Sequence, residues 1–171
     1  METRTLVPLA EYLTTAYSPD CDYVDGEVLE RNLGEWNHSE LQLALGSYLL
    51  SIRKNIGFYV ATEQRIQITP TRFRVPDICV VLHRRPTEPV LREPPFLCVE
   101  ILSPEDRATK MLKRIGDYLS FGVQYVWVID PVTREASIYS SSGVWEAKDG
   151  VLSTSDPDIS VSLPELYRSL E

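Results

Sequence analysis

Two carboxylates sit where apolar strands should carry no charge. In Phe96-Leu97-Cys98-Val99-Glu100-Ile101-Leu102, Glu100 is the one charged residue of the run. In Arg74-Val75-Pro76-Asp77-Ile78-Cys79-Val80-Val81, Asp77 stands where a second apolar run begins. Taking a lone carboxylate out of water is costly unless it is paired or bound to a metal. If the two strands pair, the carboxylates converge, and such a pair shares a proton or holds a cation. Hard divalent ions such as Mg²⁺ take oxygen ligands and keep several waters. Such an ion acidifies a bound water and can polarise a phosphoryl oxygen. The plainer alternative is that Asp77 caps a turn while Glu100 pairs with an arginine such as Arg74 or Arg107.

The elements that must position these groups can be read from periodicity and turn chemistry. Both runs are almost continuously apolar, which predicts strands over 77–82 and 96–102 in a sheet covered on both faces. Upstream, the pattern predicts a short helix over 8–15 and an extended segment over 23–29 broken by the turn dipeptide Asp25-Gly26. Asn37, with Glu40 three residues on, has the chemistry of a capping box. Leu41, Leu45, Tyr48, Leu49 and Ile52 then recur at helical spacing, and Gly57 ends that helix. A strand follows over 58–68.

Downstream, Ser103 and Pro104 suit the N-cap and first position of a helix running to about residue 121, with Gly122 closing it. On that helix Ala108, Met111, Leu112, Ile115, Tyr118 and Leu119 form one apolar face. Arg107 and Arg114 lie on its border, and Lys110 and Lys113 point further out. A strand over 125–129, a hairpin of 135–139 with 144–147 and a helix over 163–170 complete the chain. The order predicts one α/β domain over residues 1–171, with an α+β-like mixed sheet flanked by helices. It contains no G-x-G-x-x-G and no Walker A sequence, so no nucleotide cofactor is expected.

Composition sets outer bounds. The 171 residues are 43% hydrophobic, enough for one real core. A net charge of -8 argues against a strongly basic nucleic-acid binder. It leaves open an enzyme that meets DNA through a local basic patch and bound metal ions. Cys21, Cys79 and Cys98 lack zinc-ligand spacing and read as buried thiols. Trp36, Trp127 and Trp145 read as packing residues, with Trp36 the most exposed. The apolar stretch after Met1-Glu2-Thr3-Arg4 is too short for a secretory segment, and no run is long enough to span a bilayer. The expectation is a cytoplasmic protein with no membrane partner.

Five stretches together carry a family resemblance. They are Tyr23-Val24-Asp25-Gly26-Glu27, then His38 on the long helix, then Arg74-Val75-Pro76-Asp77. Val99-Glu100-Ile101-Leu102-Ser103-Pro104-Glu105-Asp106 comes next, followed by Tyr118-Leu119 through Gly122 to Trp127-Val128-Ile129-Asp130-Pro131. In this order and at this spacing the chain resembles the PD-(D/E)XK nuclease superfamily and, more narrowly, the Uma family of bacterial restriction-endonuclease-like proteins.

The resemblance implies a restriction-endonuclease-like core in which Asp77 and Glu100, helped by the Ile101 carbonyl, bind Mg²⁺ or Mn²⁺. Glu27 matches the family's upstream acidic position, with a turn-flanking surface role as its alternative. The superfamily's lysine two residues after the Glu is replaced by Leu102. Arg114 matches the position on the next helix to which the family's lysine migrates, with Lys113 beside it. An arginine cannot act as a base but can hold a phosphate. His38 is a candidate to orient a phosphate or a carboxylate, with helix capping as its alternative. Arg74 and Arg107 are further substrate-binding candidates. The implied activity is a metal-dependent endonuclease acting on DNA, working as a homodimer paired through apolar edge strands near the C-terminus. The alternative is a catalytically inactive nuclease-fold module that binds DNA or a protein partner.

Overall fold

A computed structural model describes residues 6–31 and 35–171; Met1-Glu2-Thr3-Arg4 lies outside them. The chain runs α1 (Leu9–Thr14), β1 (Asp22–Val24), β2 (Glu27–Leu29), α2 (Trp36–Ile56), β3 (Phe58–Thr62), β4 (Ile66–Thr69), β5 (Arg72–Arg74) and β6 (Ile78–Leu82). It continues with β7 (Leu97–Ile101), α3 (Ala108–Phe121), β8 (Tyr125–Ile129), β9 (Ala136–Ser140), β10 (Gly143–Glu146), β11 (Val151–Ser153), β12 (Ser160–Ser162) and α4 (Leu163–Arg168).

The main sheet has strand order β10-β9-β8-β7-β6-β3. Only β7 and β8 pair parallel within it, joined by the crossover helix α3. A smaller sheet has order β2-β1-β5-β4, and β11 pairs with β12. This is the mixed α/β architecture expected from the sequence.

Period-two alternation sorts the central strands onto two cores. Ile78, Val80, Leu97, Val99, Ile101, Trp127 and Ile129 point to one face, where Leu41, Leu45 and Leu49 of α2 and Leu163 and Leu166 of α4 cover them. Cys79, Cys98, Val126 and Val128 point to the other, against Met111, Ile115 and Tyr118 of α3 and Ile66 of β4. By the same alternation Glu100 belongs to the α3 face. Ile78 pairs with Val99, and continuing this antiparallel register by one residue sets Asp77 opposite Glu100.

The structure corrects several local expectations. The segment over 58–68 is two strands in different sheets, because Glu63 turns the chain with φ 51°. The segment over 23–29 is a hairpin around Asp25-Gly26. The α2 helix begins at Trp36, and its N-cap is Glu35 without a side-chain capping bond, so the Asn37–Glu40 capping box is not formed. Likewise α3 begins at Ala108 rather than Pro104; Asp106 instead accepts from the Ser103 N–H, closing a separate turn. Both Gly57 and Gly122 end their helices in the left-handed region, as expected. The three cysteines are free and buried. Trp127 is fully buried, whereas Trp145 is half-exposed on β10.

Candidate active site

The local reason for the site is the edge where β6 starts and β7 ends. Asp77 and Glu100 are both about 1% exposed there and line one polar cleft with His38 and Gln42 of α2 and Arg114 of α3. Asp77 is gripped from β7, from α2 and from the segment after β2. Its Oδ2 accepts from the Ile101 N–H at 2.7 Å, His38 Nε2 lies 3.3 Å from the same oxygen, and Arg31 Nη2 contacts Oδ1. Gln42 Nε2 donates to the Asp77 carbonyl at 2.9 Å.

Glu100 is held from α3. Arg114 Nη1 donates to Oε2 at 2.8 Å and the Tyr118 hydroxyl donates to Oε1 at 2.6 Å. Arg114 and Tyr118 are four residues apart, so one helix face supplies both donors.

Behind Arg114 lies a buried ladder of charge. Asp22, on β1, receives Arg114 Nη2 at 3.2 Å and Arg74 Nη1 at 2.8 Å on Oδ2, and the Val75 N–H at 2.9 Å on Oδ1. Arg74 also donates to Asp117 at 2.6 and 2.8 Å, and Arg72 donates to Asp117 and to Asp25. The ladder ties the small sheet to α3 one residue before Tyr118.

The two carboxylates differ electrostatically. Burial would raise Asp77, but the His38 hydrogen bond, the Arg31 charge and the Ile101 N–H together hold it below its usual range. Burial lowers His38, and Asp77 more than reverses this, leaving it raised. Burial is the main cause that pushes Glu100 up to about 7; Asp77 adds to it, while Arg114, Arg31 and Tyr118 oppose it. Burial and the Glu100 charge keep the Tyr118 phenol well above its usual value, so it remains a donor.

The structure thus brings Asp77, Glu100, Ile101, His38 and Arg114 together. Other candidates lie elsewhere. Glu27 opens β2 and is not part of the cleft wall; Glu30 and Glu63 line the cleft instead. Arg74 is 5% exposed by side chain and paired to Asp22 and Asp117, so it is a structural ion rather than a substrate contact. Arg107 is the exposed N-cap of α3 and Lys113 an exposed residue of that helix; the cleft wall includes Lys110 rather than either. The plainer alternative holds in part: Glu100 does pair with an arginine, but that arginine is Arg114 rather than Arg74 or Arg107. Arg31, Asp22 and Tyr118 were missed by sequence reasoning. Asp22 stands directly before a matched stretch, but nothing local distinguishes it from the Asp25 hairpin acid. Tyr118 lies within a matched stretch, but its spacing marks it only as part of the apolar face of α3.

The donor set suits a hard divalent ion. Among the described residues no group of three or more His, Cys, Asp or Glu side chains is arranged to hold a metal. Two carboxylates and a backbone carbonyl would therefore be completed by water, the usual habit of Mg²⁺. Both carboxylates already attract cationic groups, Arg31 with His38 at Asp77 and Arg114 at Glu100.

On this fold and site, the chain falls in the class of restriction-endonuclease-like proteins. It belongs to the Uma2 family, described as "Putative restriction endonuclease", whose family model matches residues 9–171. Among solved structures it is similar to one described as a "putative nuclease belonging to DUF820" from Anabaena variabilis ATCC 29413, with TM-score 0.80 and 24% identity over 96% of this chain and 99% of that one. At that identity the likeness establishes the fold. No curated protein matches the chain. Among the described residues, no helix is long and apolar enough to cross a membrane.

Proposed function

We propose that this protein is a metal-dependent endonuclease that hydrolyses phosphodiester bonds in DNA. The observation that carries the reading is the convergence of two buried carboxylates, Asp77 and Glu100, at one cleft of a restriction-endonuclease-like fold. Asp77, Glu100 and the Ile101 carbonyl would hold Mg²⁺ or Mn²⁺. When bound, such an ion lowers the pKa of a water and stabilises charge on a phosphoryl oxygen.

The chain's own residues set up the rest. The Ile101 N–H and His38 fix the rotamer of Asp77, and Tyr118 and Arg114 fix that of Glu100. Arg114 stays protonated and takes no proton from the attacking water. Its ion pairs with Glu100 and Asp22 support a role in holding Glu100 rather than the substrate. Among the described residues Arg31 Nη1 and His38 Nδ1 have no hydrogen-bond partner beside the cleft, and Arg31 Nη1 has only the Glu63 carboxylate 3.9 Å away, which favours Arg31 as the phosphate-holding cation.

One observation favours a second reading, a catalytically silent module that binds DNA or a protein. Arg31 and Arg114 balance the two carboxylates without any metal. Calorimetric titration of Mn²⁺ and Mg²⁺ into wild type and an Asp77→Ala/Glu100→Ala variant, with plasmid cleavage on the same samples, separates the two. Binding and cleavage in wild type, both absent from the variant, is the expected result. Wild type that binds neither ion and leaves plasmid intact would sink the enzyme reading.

A further inference from the structure

The outer face of α2 breaks the rule for a surface helix. Leu41, Leu45 and Leu49 are fully buried and mark the inward direction. At 100° per residue, Trp36, Glu40, Leu43, Ser47, Leu50 and Lys54 all lie within about 40° of the opposite direction. A helix face turned to water normally carries charge. Here Trp36 is 78% exposed, Leu43 71% and Leu50 49%. These three recur every seven residues, and Glu40, Ser47 and Lys54 interleave them every seven residues, the alternating four-and-three spacing of a coiled-coil seam. Tyr48, whose hydroxyl donates to the Ser160 carbonyl at 3.0 Å, ties α2 to its own chain and lies off this stripe.

We propose that this stripe is the contact surface for a second copy of the chain, with the two α2 helices packed antiparallel about Ser47. The stripe is self-complementary in that direction only. Turned about Ser47, Glu40 comes opposite Lys54 of the second copy, and Leu43 comes within one residue, about 1.5 Å along the axis, of Leu50 of the second copy, each pair occurring twice, as a two-fold interface requires. A parallel pairing would set Glu40 on Glu40 and Lys54 on Lys54, which like-charge repulsion disfavours. The paired face is opposite the side that carries His38 and Gln42 to Asp77, so the cleft stays open. This surface is distinct from the β10 edge, where Val144 and Trp145 are also exposed. It does not depend on the metal reading.

Sedimentation equilibrium of the full chain reads the outcome directly, against a protomer mass of 19.5 kDa. Wild type is expected to be dimeric. Leu43→Arg should weaken association by roughly 30-fold or more, as for a central interface residue, with circular dichroism unchanged because Leu43 is exposed. Glu40→Lys and Lys54→Glu should each weaken association several-fold, and the double swap should restore it. Trp145→Ser on β10 should leave the dimer intact. A monomeric wild type, a dimer indifferent to Leu43→Arg, or a dimer lost in Trp145→Ser would each overturn the proposal. A charge swap that fails to rescue would overturn the antiparallel register.

Discussion

At the scale of single residues, Glu100 has the most consequential environment. It is the acid that burial and the neighbouring Asp77 push up to about 7 in the folded chain, against 4.5 in the absence of structure. A carboxyl raised in this way favours folding fully below the unfolded value, and that contribution is lost as pH rises through the folded one. Glu100→Gln removes this dependence. The melting temperature of the variant relative to wild type, both metal-free, should therefore shift in the variant's favour between pH 4.5 and about 7, then level off. His38 and Asp77 titrate in both proteins, so their contributions largely cancel in the difference. Thermal scans across that range check this, and a flat difference would show that Glu100 ionises normally.

At the scale of elements, the ladder from Asp22 through Arg74 to Asp117 decides where α3 sits, and α3 decides where Arg114 and Tyr118 meet Glu100. Asp22→Asn leaves Arg74 and Arg114 short of an acceptor and should cost about 3–5 kcal/mol in denaturant unfolding. Through Arg114, which holds Glu100, it should also weaken Mn²⁺ binding, by less than the roughly 10–100-fold that losing a direct partner of a metal ligand costs. Asp117→Asn should share the stability loss but not the full loss of metal affinity, since Asp117 does not touch Arg114. Equal losses of metal affinity in both would make Asp22 a purely structural ion. This ladder also marks the boundary of what the sequence could disclose. The central strands, α2 and the C-terminal ends of both long helices were legible because they rest on periodicity and glycine. Asp77 and Glu100 were legible because a lone charge in an apolar strand is conspicuous. Their partners were not, because Arg31, Asp22 and Tyr118 reach the site only through tertiary pairing of distant elements. Short strands such as β5, β11 and β12 escaped because three residues carry no measurable period. The helix starts were misplaced because capping-type residues at Asn37 and Ser103 occur one and five residues from starts that use no side-chain cap.

For the whole molecule, the net charge of -8 poses the sharpest question about a DNA substrate. A phosphate backbone is repelled by such a chain unless its own charges are locally reversed. The cleft sets Arg31, Arg114, His38 and Lys110 against six acids, Glu30, Glu63, Asp77, Glu100, Glu105 and Asp106. Removing the two central acids should ease the repulsion there. An Asp77→Asn/Glu100→Gln variant, measured by fluorescence anisotropy in chelator at low salt, should bind duplex DNA more tightly than wild type while cleaving nothing when Mg²⁺ or Mn²⁺ is supplied. Wild type should approach the variant's affinity once a divalent ion is present, and by more than matched ionic strength explains, since added monovalent salt alone weakens such contacts. Both shifts should fade as sodium chloride is raised, because they are electrostatic. Equal metal-free affinities for the two proteins would mean that DNA does not approach this cleft, whatever other surface it uses.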